Sequence, residues 1–313
     1  LFMVFLYALN SFIDFAFLGE SANVAGIAVI HSLFNIGATI VLFPFSNLLV
    51  RLAEITIPDG KNKEDVQAEI VSIDERFLGR PAFAMELCRG KVREMAELIR
   101  KSMGLALEVL LNYDEEKAQE VIKLESVADK YEDVLGSYLV KLSSKIISTS
   151  DSQSMSIILH SISDFERISD HARDIVKSAE EINEKGLSFT KNATREIATL
   201  CKAVNDICNL TVESFCNDDD ISATHVEPLE EVIDTLSKKV KENHIKRLQK
   251  GKCTIEMGFI LEDILTGLER VSDHCSNIGG CVIETKEQNM NLHESLELFR
   301  SDSVLYREKY TEY

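Results

Sequence analysis

Apolar residues recur every three or four positions over most of the chain after residue 80, which predicts long amphipathic helices. Short polar or glycine-containing stretches interrupt this pattern and divide it into segments of similar length. Six helices result, at about 81–111, 115–148, 152–184, 192–216, 222–249 and 254–288. Because short turns join them, neighbouring helices should be antiparallel. We therefore expect an all-α fold that contains two tandem three-helix bundles.

The beginning of the chain has a different pattern. Phe2 to Gly19 carries one charged residue, Asp14, and residues 21–50 contain no Asp, Glu, Lys or Arg. About 20 apolar residues suffice to cross a bilayer, whereas a buried helix of a soluble protein rarely lacks charge for so long. We therefore expect 1–56 to be the end of a membrane domain, entered part-way in a longer protein, and 57–80 to be a linker.

The charge of the chain argues against nucleic-acid binding, and its cysteines argue against a zinc site. The net charge is −18, with 52 acidic and 34 basic residues, and such a surface repels nucleic-acid phosphates. Basic residues near the end of the apolar run favour a cytoplasmic location for the helical part of the chain. The seven cysteines are scattered without zinc-site spacing, so we expect reduced thiols in the helical core.

One motif occurs twice, about a hundred residues apart. The sequence Glu-Arg-aliphatic-Ser-Asp-His appears at 166–171 and again at 269–274, and each copy is preceded by another Glu-x-x-x-Asp pair. Glu and Asp at i and i+4 project from one face of a helix. The recurrence indicates an internal repeat. The four pairs are Glu125 and Asp129, Glu166 and Asp170, Glu230 and Asp234, and Glu269 and Asp273.

These acids lie beside apolar residues, so their faces should be packed, and a buried carboxylate needs a cation or a basic partner. Two interpretations are possible. In one, basic residues of the motif neutralise the acids in an ion-pair network. In the other, acids from two helices bind a metal ion, and a histidine that does not touch the ion orients one of these acids through a hydrogen bond. Oxygen ligands favour magnesium, manganese, calcium or iron. The basic residues concerned are Arg167, His171, Arg270 and His274.

The repeated motif resembles that of the PhoU family of phosphate-uptake regulators. In that family each repeat is a three-helix bundle with two such acid motifs, which can hold metal clusters. The resemblance implies a PhoU-like domain at 81–288, with repeats at 81–187 and 190–288 and a charged tail at 289–313. It also implies iron, manganese or magnesium as a metal cofactor, held by the eight acids of the four pairs.

Four shorter stretches resemble bacterial sodium/phosphate cotransporters, in which a PhoU-like domain comes after the membrane part. Residues 28–37 and 42–45 are similar to the family's last membrane segment, and 73–78 with 81–84 to its junction. This resemblance implies the C-terminal part of a plasma-membrane symporter with a cytosolic regulatory domain. Sodium, as coupling ion, and inorganic phosphate would bind upstream segments.

Two other functions compete with that of a symporter fragment. A PhoU-type regulator would act as a protein-binding module, contacting transport or signalling proteins or a second copy of itself. A di-iron oxidase would need Glu-x-x-His motifs, which neither acid motif contains. The sequence also shows no nucleophile–base pair or glycine-rich phosphate loop. We therefore do not expect an enzyme.

Overall fold

The structure is a computed structural model of this chain, and it describes residues 31–32, 35–37, 39, 72–145, 148–286 and 303–313. The chain divides into two units, Leu1–Lys63 and Glu64–Tyr313. The expected membrane domain at 1–56 lies almost wholly outside the described residues, as does most of the linker at 57–80. Within the described ranges, no helix combines the length and the apolar character that a membrane span requires.

The second unit is helical throughout its described length, as expected. A short 3₁₀ helix at Glu75–Gly79 comes before the first long helix. The α-helices are α1 (Pro81–Leu111), α2 (Glu115–Ser143), α3 (Thr149–Glu184), α4 (Lys191–Asn217), α5 (Asp220–Ala223), α6 (Val226–Gln249), α7 (Ile255–Lys286) and α8 (Ser303–Glu312).

Most of the predicted helix bounds agree with the structure, and local capping explains the main differences. The predicted fifth helix is in fact two, α5 and α6, separated at Thr224 and His225, and α5 begins where the Asp219 side chain accepts hydrogen bonds from Ser222. Pro228 then falls in the first turn of α6, where the missing N–H costs no helical hydrogen bond. The second helix ends at Ser143, five residues earlier than predicted.

The six long helices form two three-helix bundles in one continuous hydrophobic core. Helices α1, α2 and α3 pack together, as do α4, α6 and α7, while α3 against α7 and α1 against α4 join the two bundles. Glu166 and Glu269 therefore lie on the third long helix of their respective bundles. Helix α8 packs on α6, where the hydroxyls of Tyr306 and Thr235 are 3.2 Å apart.

The cysteines are free thiols, and five of the seven are buried in the core. Burial raises the pKa of Cys201 to about 12, so this thiol stays protonated and unreactive at neutral pH. Cys208 of α4 and Cys275 of α7 pack with their sulfurs 3.8 Å apart. The expectation that most cysteines serve as small core residues is confirmed.

Candidate metal centre

Carboxylates from α2 and α3 converge along the line where these helices pack. Glu125 and Asp129 come from α2 and Asp170 from α3, and one oxygen of each lies within 4.8 Å of the others. Glu125 is buried, Asp170 is half-buried and Asp129 is exposed. We call these three residues the acid cluster. Acids from two different helices therefore lie at one location.

Arg173 supplies the positive charge nearest to the acid cluster. Its guanidinium contacts the carboxylate of Glu125 and lies 3.6 Å from that of Asp170. Sequence reasoning missed this residue, although a signal existed. Arg173 comes after Glu166 and Asp170 at i+7 and i+3, which puts all three on the same face of α3. It has no basic counterpart in the second repeat, where the matching residue is Ser276.

Arg167 also lies near acids of the motif, as one interpretation of the sequence expected. It is 3.5 Å from Glu166 and 3.6 Å from Asp170, and its side chain is 57% exposed. An exposed pair at this distance contributes less than about 1 kcal/mol to stability. Arg173 is therefore the main counter-charge of the first repeat, and Arg167 is a weaker one.

Negative charge remains in excess along α2 and α3 despite these arginines. Burial, together with the charges of Asp170 and Glu132, raises the pKa of Glu166 to about 7. Burial also raises the pKa of Glu125, where Arg173 opposes the shift, and the pKa of Glu132. Glu132 lies three residues after Asp129 and escaped the search for Glu-x-x-x-Asp pairs. Such a set of acids favours uptake of a proton or a cation.

At two positions near the acids, the second repeat has a serine where the first repeat has a charged residue. Ser237 takes the place of Glu132 and donates a hydrogen bond of 2.5 Å to Glu269. Ser276 takes the place of Arg173 and donates a hydrogen bond to Glu227.

Among the described residues, the other acids of the second repeat form no group like the acid cluster. Asp234 lies 3.6 Å from the amino group of Lys238. In the described ranges only the acid cluster brings three ligand atoms so close, so Glu230 and Asp273 belong to no second group of this kind.

The two motif histidines lie at the contact between the bundles. His171 and His274 stack on each other between the bundles, with ring centroids 5.8 Å apart. His274 Nδ1 lies 2.8 Å from Asp164, which also accepts a hydrogen bond from Asn277. His274 therefore contacts an acid outside the four Glu-x-x-x-Asp pairs, and the orienting of a metal ligand by His171 or His274 stays a prediction. A residue directly after such an Asp is turned about 100° from it, which here directs the ring to the α3–α7 interface.

Arg270 lies at the same interface and not beside the acid cluster. With Asp174, Lys177 and Asp263 it lines an open cavity of ≈ 450 Å³ beside His171. Burial lowers the pKa of His171, and the neighbouring His274 lowers it further. This imidazole is therefore neutral at pH 7 and unsuited to neutralising a carboxylate.

The acid cluster fits a hard metal ion in its chemistry and size, since carboxylate oxygens on two helices can approach one ion together. Arg173 already provides positive charge at the same carboxylates. A bound metal ion would therefore compete with the guanidinium for Glu125 and Asp170. The residues that would hold the ion are Glu125, Asp129 and Asp170, and the ion would supply charge neutralisation there.

Two tandem three-helix bundles, each with acid pairs on its second and third long helices, define the class of this protein. The PhoU domain matches the sequence twice, at residues 92–179 and 197–282. Each match covers the greater part of one bundle, and together they cover more than half of the chain. The chain therefore belongs to the PhoU domain family.

Individual relatives agree with this assignment. The "Phosphate-specific transport system accessory protein PhoU homolog 1" of Thermotoga maritima is 24% identical over 224 residues, which is 70% of this chain and 94% of that protein. The crystal structure of PhoU from Pseudomonas aeruginosa is similar with a TM-score of 0.63 and 22% identity, covering 66% of this chain and 99% of that one. The phosphate transport system regulatory protein PhoU from Streptococcus pneumoniae has a TM-score of 0.60 and 19% identity, covering 68% and 99%.

Proposed function

We propose that this chain regulates phosphate uptake as a PhoU-type protein-binding module, without enzymatic activity. The observation that carries the proposal is the match of both bundles to the PhoU domain. The relative from Thermotoga maritima is named as an accessory protein of a phosphate-specific transport system. Long helices on a single core form a stable platform, which suits contact with a transport or signalling protein.

The acid cluster gives this module a site that responds to cations. A divalent or trivalent ion such as manganese, magnesium or iron would bind Glu125, Asp129 and Asp170 in competition with Arg173. Because the ligands come from α2 and α3, binding would hold these two helices together and stabilise the folded state by mass action. We propose that cation binding in this way sets the rigidity of the first bundle.

A second candidate function is the C-terminal part of a sodium/phosphate symporter. The observation that favours it is the uncharged run at 21–50 and its resemblance to a cotransporter membrane segment. In this case the bundles would be the cytosolic domain of a plasma-membrane protein, and sodium would be the coupling ion. The family match lies within residues 92–282, so the symporter function stays a prediction.

Uptake of radiolabelled phosphate tests both functions. The first arm uses a bacterial strain that lacks its own PhoU protein but keeps its phosphate transporters. We expect expression of the chain to change the rate of uptake, and expect the double variant Asp129→Asn with Asp170→Asn to lose this effect. The variant Glu86→Gln, at an exposed position of α1, should behave as the wild type.

The second arm uses a strain without phosphate transporters of its own. Sodium-dependent uptake conferred by the chain together with the upstream segments that would bind sodium and phosphate would establish the symporter function, and no uptake in this arm would contradict it. Uptake that is indifferent to the chain in the first arm would contradict the regulatory function.

A further inference from the structure

Two arginines line a cavity at one end of the contact between the bundles. The cavity has a volume of ≈ 250 Å³ and lies where the first turns of α1 and α3 meet the last turns of α4 and α7. Arg89 and Arg93 are both on α1, and because they are four residues apart they project from the same face of that helix. We call this space with its two arginines the arginine cavity.

The walls of the arginine cavity are largely apolar. Ile157 and Ile158 come from α3, Phe215 from α4 and Val282 from α7. Apolar walls lower the local dielectric constant, so a guanidinium beside them attracts an anion more strongly than one in open solvent does. The arginine cavity therefore combines positive charge with surfaces that would contact an apolar group.

The protein itself neutralises the two guanidinium groups only in part. Arg93 Nη2 donates a hydrogen bond of 2.8 Å to Asp218, whose side chain is 52% exposed. Arg93 Nε is buried and has no hydrogen-bond partner. Arg89 forms no ion pair with any residue that the structure describes. A buried donor without a partner costs free energy, and an anion that accepted its hydrogen bond would remove this cost.

The internal repeat gives the arginine cavity a counterpart that has no arginine. Since the PhoU matches begin at 92 and 197 and end at 179 and 282, Arg89 corresponds to Thr194 and Val282 to Ala179. Both Thr194 and Ala179 line a second cavity, of ≈ 290 Å³, at the other ends of α1, α3 and α4. The described residues around it include no Lys, Arg, Asp or Glu. The arginines are therefore specific to one of two corresponding cavities.

We propose that the arginine cavity binds a small molecule that carries a phosphate group. Two guanidinium groups match the two negative charges that a phosphate group approaches near neutral pH, whereas one guanidinium is enough for a carboxylate. A volume of ≈ 250 Å³ corresponds to about eight water molecules, which leaves room for an apolar group beside the phosphate. The apolar walls contact that group, and both arginines donate hydrogen bonds to the phosphate oxygens.

A ligand at this position acts on the contact between the bundles. The arginine cavity is lined by α1 and α3 of the first bundle and by α4 and α7 of the second, so one ligand touches both bundles. The described residues that line it include none of the acid cluster. On α3, Ile158 comes twelve residues before Asp170, which is about 18 Å along the helix axis. Binding therefore stabilises the association of the bundles without occupying the metal ligands.

Calorimetric titration of the full chain with three compounds tests the proposal. They are butyl phosphate, inorganic phosphate and butanoate, and a chelator is present so that no metal ion at the acid cluster can hold the phosphate. We expect saturable binding of butyl phosphate, tighter than that of inorganic phosphate, and much weaker binding of butanoate. Equal affinity for butyl phosphate and inorganic phosphate would support the site and identify the free ion as its ligand.

Replacing either arginine by glutamine should weaken binding of butyl phosphate by about tenfold or more, because each variant loses charged hydrogen bonds to the phosphate. Arg89→Gln breaks no ion pair within the described part of the chain, so its fold should be retained. The matched control is Lys101→Gln, which removes one positive charge from the same helix. Lys101 pairs with Glu120 outside the arginine cavity, so this variant should bind as the wild type does.

Asp218→Asn should change the affinity in the opposite direction. Its carboxylate holds Arg93 in the free protein and would compete with the phosphate for that guanidinium. Asp218 has a left-handed backbone with φ of 51°, which asparagine also adopts readily, so the turn after α4 should be retained. We expect this variant to bind butyl phosphate several-fold more tightly than the wild type, a gain that damage to the fold would not produce.

Three results would overturn the proposal. One is the absence of saturable binding of both phosphate compounds, and another is binding of butanoate as tight as that of butyl phosphate. The third is phosphate binding that stays unchanged in Arg89→Gln and Arg93→Gln, which would place the ligand elsewhere in the chain. Circular dichroism and melting temperatures without ligand check that each variant retains its helices.

Discussion

The guanidinium of Arg173 on α3 contacts the buried carboxylate of Glu125 on α2. This contact makes the two repeats unequal, because the corresponding residue of the second repeat, Ser276, donates a hydrogen bond to Glu227 instead. The first bundle therefore contains a cation of its own among converging acids. A metal ion that binds there must displace that guanidinium or share carboxylates with it.

Replacing Arg173 by Met should destabilise the protein by about 2 kcal/mol at pH 7, because Glu125 would remain buried beside two other acids without its counter-charge. Urea unfolding measures this change. The control is Lys177→Met, which removes an exposed lysine 3.0 Å from Asp174 and should cost less than about 0.5 kcal/mol. Added manganese should restore part of the stability of Arg173→Met. Equal stability of this variant and the wild type would show that the contact is unimportant.

Glu166→Gln should make the protein more stable above neutral pH. The pKa of Glu166 is raised to about 7 in the folded state from an ordinary value of 4.5, so the folded state binds this proton more tightly than the unfolded state. Wild-type stability therefore falls as pH rises from about 4.5 to about 7. Glutamine resembles the protonated acid, so the variant should gain up to about 3 kcal/mol at pH 8 and almost nothing at pH 4.

Unfolding in urea at several pH values, with chelator present, checks the prediction for Glu166. The comparison is Glu86→Gln, whose side chain is exposed on α1. If Glu166→Gln differed from the wild type by the same amount at pH 4 and pH 8, the raised pKa would be refuted.

His171→Gln should reduce the loss of stability in acid. Burial lowers the pKa of His171 below its ordinary value of 6.5, so the unfolded state takes up this proton more readily than the folded state. Stability is therefore lost as pH falls below 6.5. The slope of unfolding free energy between pH 7 and pH 5 should be smaller in the variant. His160→Gln, at an exposed position on α3, is the control, and matching slopes for both variants would contradict the prediction.

The helices were predictable because apolar spacing and turn residues act locally. Pro81 begins α1 as its fixed φ requires, and the first helix was placed correctly from 81 to 111. The division of the fifth helix was not predictable from periodicity, since it falls at Thr224 and His225, where the sequence has no glycine or proline. Spacing also cannot set how far one helix slides along another, which depends on core packing.

Because helix packing is not set by spacing, the sequence predicted which helices carry the acids better than it predicted which acids lie close together. All four pairs lie on the second and third long helices of their bundles, but only three of the eight acids form the acid cluster. Arg173 escaped a search based on the repeat, because the second repeat has a serine in its place. The position of the histidines off the acid face was predictable, whereas their stacking depends on how α3 packs against α7.

Calorimetric titration with manganese tests the central proposal, that the acid cluster of the first repeat binds a cation. The account predicts saturable binding to the wild type that is lost in Asp129→Asn with Asp170→Asn. It should persist in the corresponding double variant of the second repeat, Asp234→Asn with Asp273→Asn. Arg173→Met should bind more tightly than the wild type. No binding to the wild type, or binding lost only in the second-repeat variant, would contradict the account.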